Sequence, residues 1–72
     1  MKNIDALIAD GGDITIGPVG SVECAATAAD VHNCLAMLVR REGETITALL
    51  RRLDKAIGLA HDGGDILDEV NA

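Results

Sequence analysis

The sequence contains no phenylalanine, tyrosine or tryptophan. Aromatic side chains bury the most area per residue, so the core must be built from aliphatic side chains alone. A chain of 72 residues forms one domain, and a domain of this size buries only about 60% of the surface that its unfolded form exposes. Small domains often need a disulfide, a metal or a second copy for stability. Because 49% of the residues are hydrophobic, we expect a second copy, that is, a homodimer.

Long apolar runs are also missing. No run approaches the roughly 20 residues that a membrane span needs, and the N-terminus lacks the basic and apolar segments of a secretory signal. We therefore expect a cytoplasmic protein without a membrane partner, in which Cys24 and Cys34 remain thiols.

The sequence lacks the common catalytic, phosphate-binding and metal-binding motifs. Two cysteines and two histidines could be soft ligands, but they lack the close Cys-x-x-Cys spacing of a zinc site. The segment Asp-Gly-Gly-Asp-Ile occurs at 10–14 and at 62–66. Glycine that ends one element and aspartate that caps the next explain it better than a Mg²⁺ or Ca²⁺ loop, which supplies more oxygens. We expect no enzymatic activity, no cofactor and no metal.

The formal net charge of −6 is unevenly distributed. Residues 21–60 carry five basic and five acidic side chains, so the acidic surplus lies in residues 1–20 and 61–72. An acidic balance argues against general binding to nucleic acid or membrane surfaces. It favours a protein partner that has a basic surface.

Residues 44–60 contain the strongest periodic pattern in the chain. Their large apolar side chains recur at helical spacing, with arginine, aspartate and lysine on the opposite face, which predicts a helix. A first helix is predicted over about 30–41, because arginines at its end complement the helix dipole and Gly43 can close it. The two helices form a predicted helical hairpin whose core residues are Val31, Leu35, Leu38, Ile46, Leu49, Leu50, Leu53 and Ile57.

The remaining segments complete a single domain over residues 1–72. Residues 1–20 are expected to be an N-terminal extension with a short helix over 3–9, a strand over 13–16 and a turn at 17–20. Residues 21–28 are read as a strand in preference to a helix, because Thr27 and Asp30 are typical of a helix start just after it. Residues 61–72 form an acidic tail that is either docked or mobile. The predicted fold is α+β and mainly helical, with short N-terminal strands followed by the helical hairpin.

The order strand, helix, glycine-containing loop, helix over residues 22–57 resembles the ribbon–helix–helix superfamily. The segment Arg41-Glu42-Gly43-Glu44-Thr45 and the helix that follows carry the likeness. The resemblance implies an obligate homodimer in which one strand from each chain forms a two-stranded ribbon that enters the DNA major groove. It also implies that the second helix offers N-terminal amides to a phosphate.

The positions that would read DNA depart from that family. Glu23, Ala25 and Thr27 would face the bases, where Arg, Lys, Asn or Gln is expected, and only Thr27 could form a hydrogen bond. Our first hypothesis is therefore a small acidic interaction module. We expect it to be encoded by a phage or another mobile element and to act as an inhibitor or regulator that docks on a basic or nucleic-acid-binding protein. The alternative is a ribbon–helix–helix transcriptional repressor. The candidate contact residues for partner or DNA are Glu23, Thr27, Arg40, Arg41, Arg51 and Arg52. For the four arginines, solvated helix faces are the favoured explanation.

The repressor alternative makes a direct prediction. A DNA-binding protein should bind random duplex DNA at about 50 mM salt and lose affinity steeply as salt rises, because bound phosphates release counterions. A fluorescence titration measures this, and absence of binding at high micromolar protein would eliminate the alternative.

Overall fold

The computed structural model describes residues 1–71. In chain order the elements are α1 (Lys2–Ala9), β1 (Asp13–Val19), β2 (Val22–Ala29), β3 (Cys34–Val39), α2 (Ile46–Gly63) and β4 (Leu67–Asp68). The strands form one sheet in the order β1-β2-β3-β4. The first three strands are an antiparallel meander, and β4 pairs parallel to β3 after the crossover through α2. The helices pack on one face of this sheet, with α2 against β2 and β3 and α1 against α2 and β1.

The predicted mainly helical, ribbon–helix–helix-like fold with a helical hairpin is wrong. The second helix exists, but the helix expected over about 30–41 is replaced by a turn and strand β3. Asp30, taken as a helix start, accepts hydrogen bonds from the N–H groups of His32 and Asn33 at 2.8 and 2.6 Å. Aspartate caps turns by the same chemistry with which it caps helices. Here it closes the β2–β3 hairpin, and the following apolar residues pair with β2.

Strand β3 contains a bulge that explains why its pattern resembles a helix. Ala28 pairs with Ala36 and Ala29 pairs with Cys34, which leaves Leu35 without a partner across the pair. A bulge re-aims the side chain of the extra residue. Leu35 consequently joins the core together with its neighbour Ala36.

Residues 22–29 form the central strand β2, the interpretation favoured for this stretch. Ala26 and Ala28 lie in the core beneath α2 and are at most 1% exposed. Alanine has low strand propensity, but propensity in a sheet mostly reflects packing on the neighbouring surface. Small side chains here let the leucines of α2 lie close to the backbone of the sheet.

Strand β1 extends to Val19, beyond the expected end at 16. It lies at the edge of the sheet, where a proline can be accommodated. It continues through Pro18, where the register shifts between Gly17 and Val19. Proline lacks an N–H and is tolerated where no neighbouring strand requires one. The tight turn lies at Gly20 and Ser21, and Gly20 has a positive φ of 57°. A glycine with positive φ at the first turn position suits a two-residue hairpin.

Helix α2 begins and ends with clear signals. The Thr45 hydroxyl accepts a hydrogen bond from the Ala48 N–H at 3.1 Å, as an N-cap does. Gly64 follows the helix in the left-handed conformation at φ 76°, which is typical of a glycine that ends a helix. The helix runs three residues beyond the predicted end at 60.

The predicted core residues divide into three groups. Leu35, Leu38, Leu49, Leu53 and Ile57 are buried, and Leu50 is half-buried against them. Ile46 is exposed in the first turn of α2, and Val31 is 72% exposed at the tip of the β2–β3 turn.

The apolar stripe of α2 is sheltered within one chain. Leu49, Leu53 and Ile57 are at most 1% exposed, covered by the sheet and by α1. The stripe therefore does not need a second copy to cover it, and the homodimer stays a prediction.

Helix α1 receives its cap from α2. Its N-cap residue, Met1, makes no side-chain cap. The Asp54 carboxylate instead accepts hydrogen bonds from the N–H groups of Asn3 and Ile4, each at 2.9 Å. A negative charge is favourable at a helix N-terminus. Gly58 permits this close approach, since a Cβ there would lie 2.8 Å from the side-chain nitrogen Nδ2 of Asn3.

The predicted acidic tail is partly incorporated in the fold. Leu67 and Asp68 form β4 beside β3, and the Glu69 N–H donates to the Met37 carbonyl at 2.7 Å. Residue 72, the last of the predicted tail, lies outside the described residues.

Replacement of Leu53 by alanine should lower the free energy of unfolding by about 2–5 kcal/mol, because it opens a cavity in the core. Ile46→Ala is the matched control, since Ile46 lies on the same helix but is 42% exposed. Urea unfolding measures both; equal effects would contradict this account of the core.

Candidate functional site

Arg52 is the centre of a polar network at the edge of the sheet. Its Nε and Nη2 atoms donate to the two carboxylate oxygens of Glu44 at 2.7 and 2.8 Å. Nη2 also donates to the Val39 carbonyl at 2.9 Å. The two side chains are only 22% and 9% exposed. Two-pronged pairing of this kind gives fixed geometry as well as attraction.

Glu69 extends this network to the C-terminal segment. Its carboxylate lies 3.3 Å from Nη1 of Arg52 and accepts the Val39 N–H at 2.9 Å. The network thus joins α2, the end of β3 and the residues after β4. Arg52, a candidate contact for a partner or DNA, pairs with Glu44 and Glu69 within the chain.

The pKa of Glu44 is lowered to about 2, first by its hydrogen bond with Arg52 and then by the backbone N–H of Arg41. The pKa of Arg52 is raised, chiefly by the hydrogen bond with Glu44. Both groups are therefore charged throughout the physiological pH range.

Three of the other candidate contact residues meet in one place. Glu23, Arg40 and Arg41 line a groove of about 520 Å³ at the end of β2 and β3, together with Glu42 and Cys24. Its two carboxylates and two guanidinium groups balance each other, so this groove has no strong preference for an anion or a cation.

Thr27 and Arg51 lie apart from this groove. The Thr27 hydroxyl hydrogen-bonds across the strands to the Thr15 hydroxyl on the sheet face opposite the helices. Arg51 is exposed on α2. The six residues therefore do not make one contact surface.

Acidic residues from both ends of the chain converge at the C-terminal ends of the two helices. Asp10 follows α1, and Asp62 lies in the last turn of α2. Together with His61 they line a groove of about 470 Å³ between the helices; Ala6 and Gly58 also line it, and Lys2 and Lys55 add two cations to the lining. We call Asp10 and Asp62 the acidic pole.

Asp30 does not line this groove; it caps the β2–β3 turn. The pKa of Asp30 is lowered by backbone hydrogen bonds from His32 and Asn33, with a smaller contribution from the charges of His32 and His61. The turn thus holds this carboxylate in its ionised form.

A second surface is apolar. Ala56, Leu59, Ile66 and Leu67 line an open groove of about 410 Å³ between α2 and β4, which we call the α2–β4 groove. An adjoining pocket of about 290 Å³ shares Ala56, Leu59 and Leu67 with it and reaches Leu38. Leu59, Ile66 and Leu67 are 55%, 55% and 46% exposed.

We include the adjoining pocket in the α2–β4 groove from here on. The groove then has charges of opposite sign at its two ends. Asp62 and Asp65 border the first part, whereas Arg41 and Lys55 border the adjoining pocket. Arg52 and Glu69 also border that pocket, but they pair with each other.

The sequence pattern predicted neither surface. It placed the acidic surplus at the two chain ends but did not show that Asp10 and Asp62 line one groove. One signal was present: each helix ends in a Gly-containing stop with aspartate beside it.

Within residues 1–71, no group of three or more His, Cys, Asp or Glu side chains is arranged to hold a metal ion. No helix in this described part of the chain is long and apolar enough to cross a membrane. Comparison with protein-family models, curated proteins and solved structures finds no match to this chain. Kinship with the ribbon–helix–helix superfamily consequently stays a prediction.

The Glu44–Arg52 pair predicts a specific loss of stability in acid. The pKa of Glu44 is about 2 in the folded chain against an ordinary value of 4.5. Its stabilising contribution is therefore complete above pH 4.5 and disappears as the pH falls towards 2. Glu44→Gln should be less stable than the parent at pH 7, and this difference should shrink over that window.

Thermal melts of both proteins at pH 7, 4 and 2.5 measure this difference. Glu42→Gln is the control, because Glu42 is exposed two residues away and makes no ion pair within residues 1–71. A pH-independent deficit in Glu44→Gln would mean that the charge of Glu44 is not what stabilises the network.

Proposed function

We propose that this chain is a non-catalytic protein-interaction module that docks on a basic protein surface through its acidic pole. Such a module would act as an inhibitor or regulator of a basic or nucleic-acid-binding protein. The observation that carries the proposal is the convergence of Asp10 and Asp62 at two helix C-termini.

Carboxylates at helix C-termini are unfavourable for the free molecule. The C-terminal end of a helix carries a partial negative charge, so an acidic residue there costs about 0.3–1 kcal/mol. The helix dipoles thus disfavour carboxylates at these two positions. A cationic partner would be attracted both by the carboxylates of Asp10 and Asp62 and by the negative ends of the helix dipoles. Stability given up in this way is common where binding requires it.

The charge of the surrounding chain supports the same partner. Residues 3–39 and 56–72 contain no lysine or arginine. Lys2 begins α1 whereas Asp10 follows its end, and Lys55 precedes Asp62 by about two helical turns, so the two cations of this groove lie towards the opposite end from the two carboxylates. An incoming arginine or lysine side chain would be drawn towards Asp10 and Asp62, where Ala6 and Gly58 leave room between the helices.

The repressor alternative receives no support from the described residues. Its two-stranded ribbon and helical hairpin have no counterpart in the fold, and Arg52 is bound to Glu44 and Glu69.

The proposal predicts selective binding of a basic peptide. A fluorescent peptide of alternating arginine and serine should bind at low salt, and the matching glutamate peptide should not. Asp10→Asn with Asp62→Asn should weaken binding about fivefold or more, since both removed charges face the ligand. The same variant should melt slightly higher, because the conflict with the dipoles is relieved.

The control is Glu23→Gln with Glu42→Gln, which changes the net charge by the same amount on a different groove. Fluorescence anisotropy at constant salt compares the two variants. If both lose affinity equally, binding reflects net charge alone and the acidic pole is not a site.

A further inference from the structure

We infer that the α2–β4 groove is the interface between two copies of this chain, related by a two-fold axis. This interface differs from the helical stripe that first suggested a homodimer, because that stripe is covered within one chain. The inference does not rest on the proposed function.

The apolar content of the groove is the first reason. Leu59, Ile66 and Leu67 are each about half exposed and border a single cleft floored by the buried Ala56. Scattered exposed apolar residues are ordinary, but a contiguous row around a cleft marks an interaction surface. Three of the eight large hydrophobic side chains that are exposed in this part of the chain lie here.

The charges at the two ends of the groove indicate which partner fits. Asp62 and Asp65 border one end, and Arg41 and Lys55 border the other. None of these four side chains forms an ion pair within residues 1–71. A partner needs cations opposite the first end and carboxylates opposite the second, with apolar side chains between them.

A second copy of the groove has this arrangement when it is turned by a two-fold rotation. In a two-fold interface the same patch faces itself, so each residue of one copy meets the symmetry-related part of the other. The acidic end of one copy then faces the basic end of its partner, and the pairing occurs twice. Leu59 and Leu67 border both parts of the groove, so they lie nearest the axis.

A basic peptide is a poorer occupant of the same groove. It would satisfy Asp62 and Asp65 but meet Arg41 and Lys55 at the other end, where like charges repel. The dimer leaves Asp10 free but uses Asp62, which borders both this groove and the groove between the helices. It also covers β4, the edge strand whose outer side has no neighbour in the sheet.

The first test is the oligomeric state of the parent protein and two serine variants. Sedimentation equilibrium should show a dimer that forms at tens of micromolar or below. Leu59→Ser should raise the dissociation constant about tenfold or more. Ile8→Ser is the matched control, because Ile8 is 51% exposed on α1 outside the groove. A parent protein that stays monomeric at about 500 µM overturns the inference.

The second test exchanges the charges at the two ends. Asp62→Lys with Asp65→Lys gives a chain whose groove is basic at both ends, and Arg41→Glu with Lys55→Glu gives one whose groove is acidic at both ends. Each variant alone should be monomeric at concentrations where the parent is dimeric. An equimolar mixture should form a heterodimer about as tight as the parent dimer, because every acidic end again faces a basic end.

Native mass spectrometry distinguishes the heterodimer from either homodimer by mass, and circular dichroism establishes that each variant is folded. Dimers that persist in the single variants, or a mixture that stays monomeric, would show that this groove is not the interface. If a charge-reversed variant unfolds, the milder single variants Asp62→Asn and Lys55→Gln replace it. Each should self-associate more weakly than the parent, and mixing the two should not restore the affinity of the parent dimer.

Discussion

The packing of α2 on the alanine-lined face of the sheet is the contact on which the rest of the fold depends. Leu49, Leu53 and Ile57 of α2 share one buried cluster with Ala26 and Ala36, whose small side chains take little space between the helix and the sheet. A chain without aromatic side chains compensates for small core residues by close approach of its layers, which keeps packing dense. Every peripheral element is then positioned relative to α2: α1 along its side, β4 after its end and the Arg52 network on its flank.

Two polar contacts attach the peripheral elements to this central packing. Asp54 caps α1 from the side of α2, and Arg52 holds the β3 end and the C-terminal segment through Glu44 and Glu69. Both use side chains that the sequence pattern had placed on a solvent-exposed helix face. Charges that serve the fold in this way are unavailable to a partner. What remains for recognition is the acidic pole and the charged ends of the α2–β4 groove.

The proposed dimer and the proposed docking site share Asp62, which lines both the groove between the helices and the α2–β4 groove. In the dimer Asp62 would face the basic end of the second copy, whereas Asp10 lies outside the dimer groove. A basic partner that binds both Asp10 and Asp62 would therefore compete with dimer formation.

The sequence by itself determined that α2 exists, predicted over 44–60 and found over Ile46–Gly63, because a long apolar period and a glycine stop agree with one another. It also identified the large buried side chains of α2 and β3, but not Leu7 or the alanines that complete the core. It could not determine that residues 34–39 form a strand, since Leu35 and Leu38 share a helical spacing and a short apolar run fits either structure. Pairing with β2 and the bulge at Leu35 decided that point. Only the tertiary structure brought Asp10 next to Asp62, because two segments far apart in the chain become neighbours when both helices pack on one sheet face.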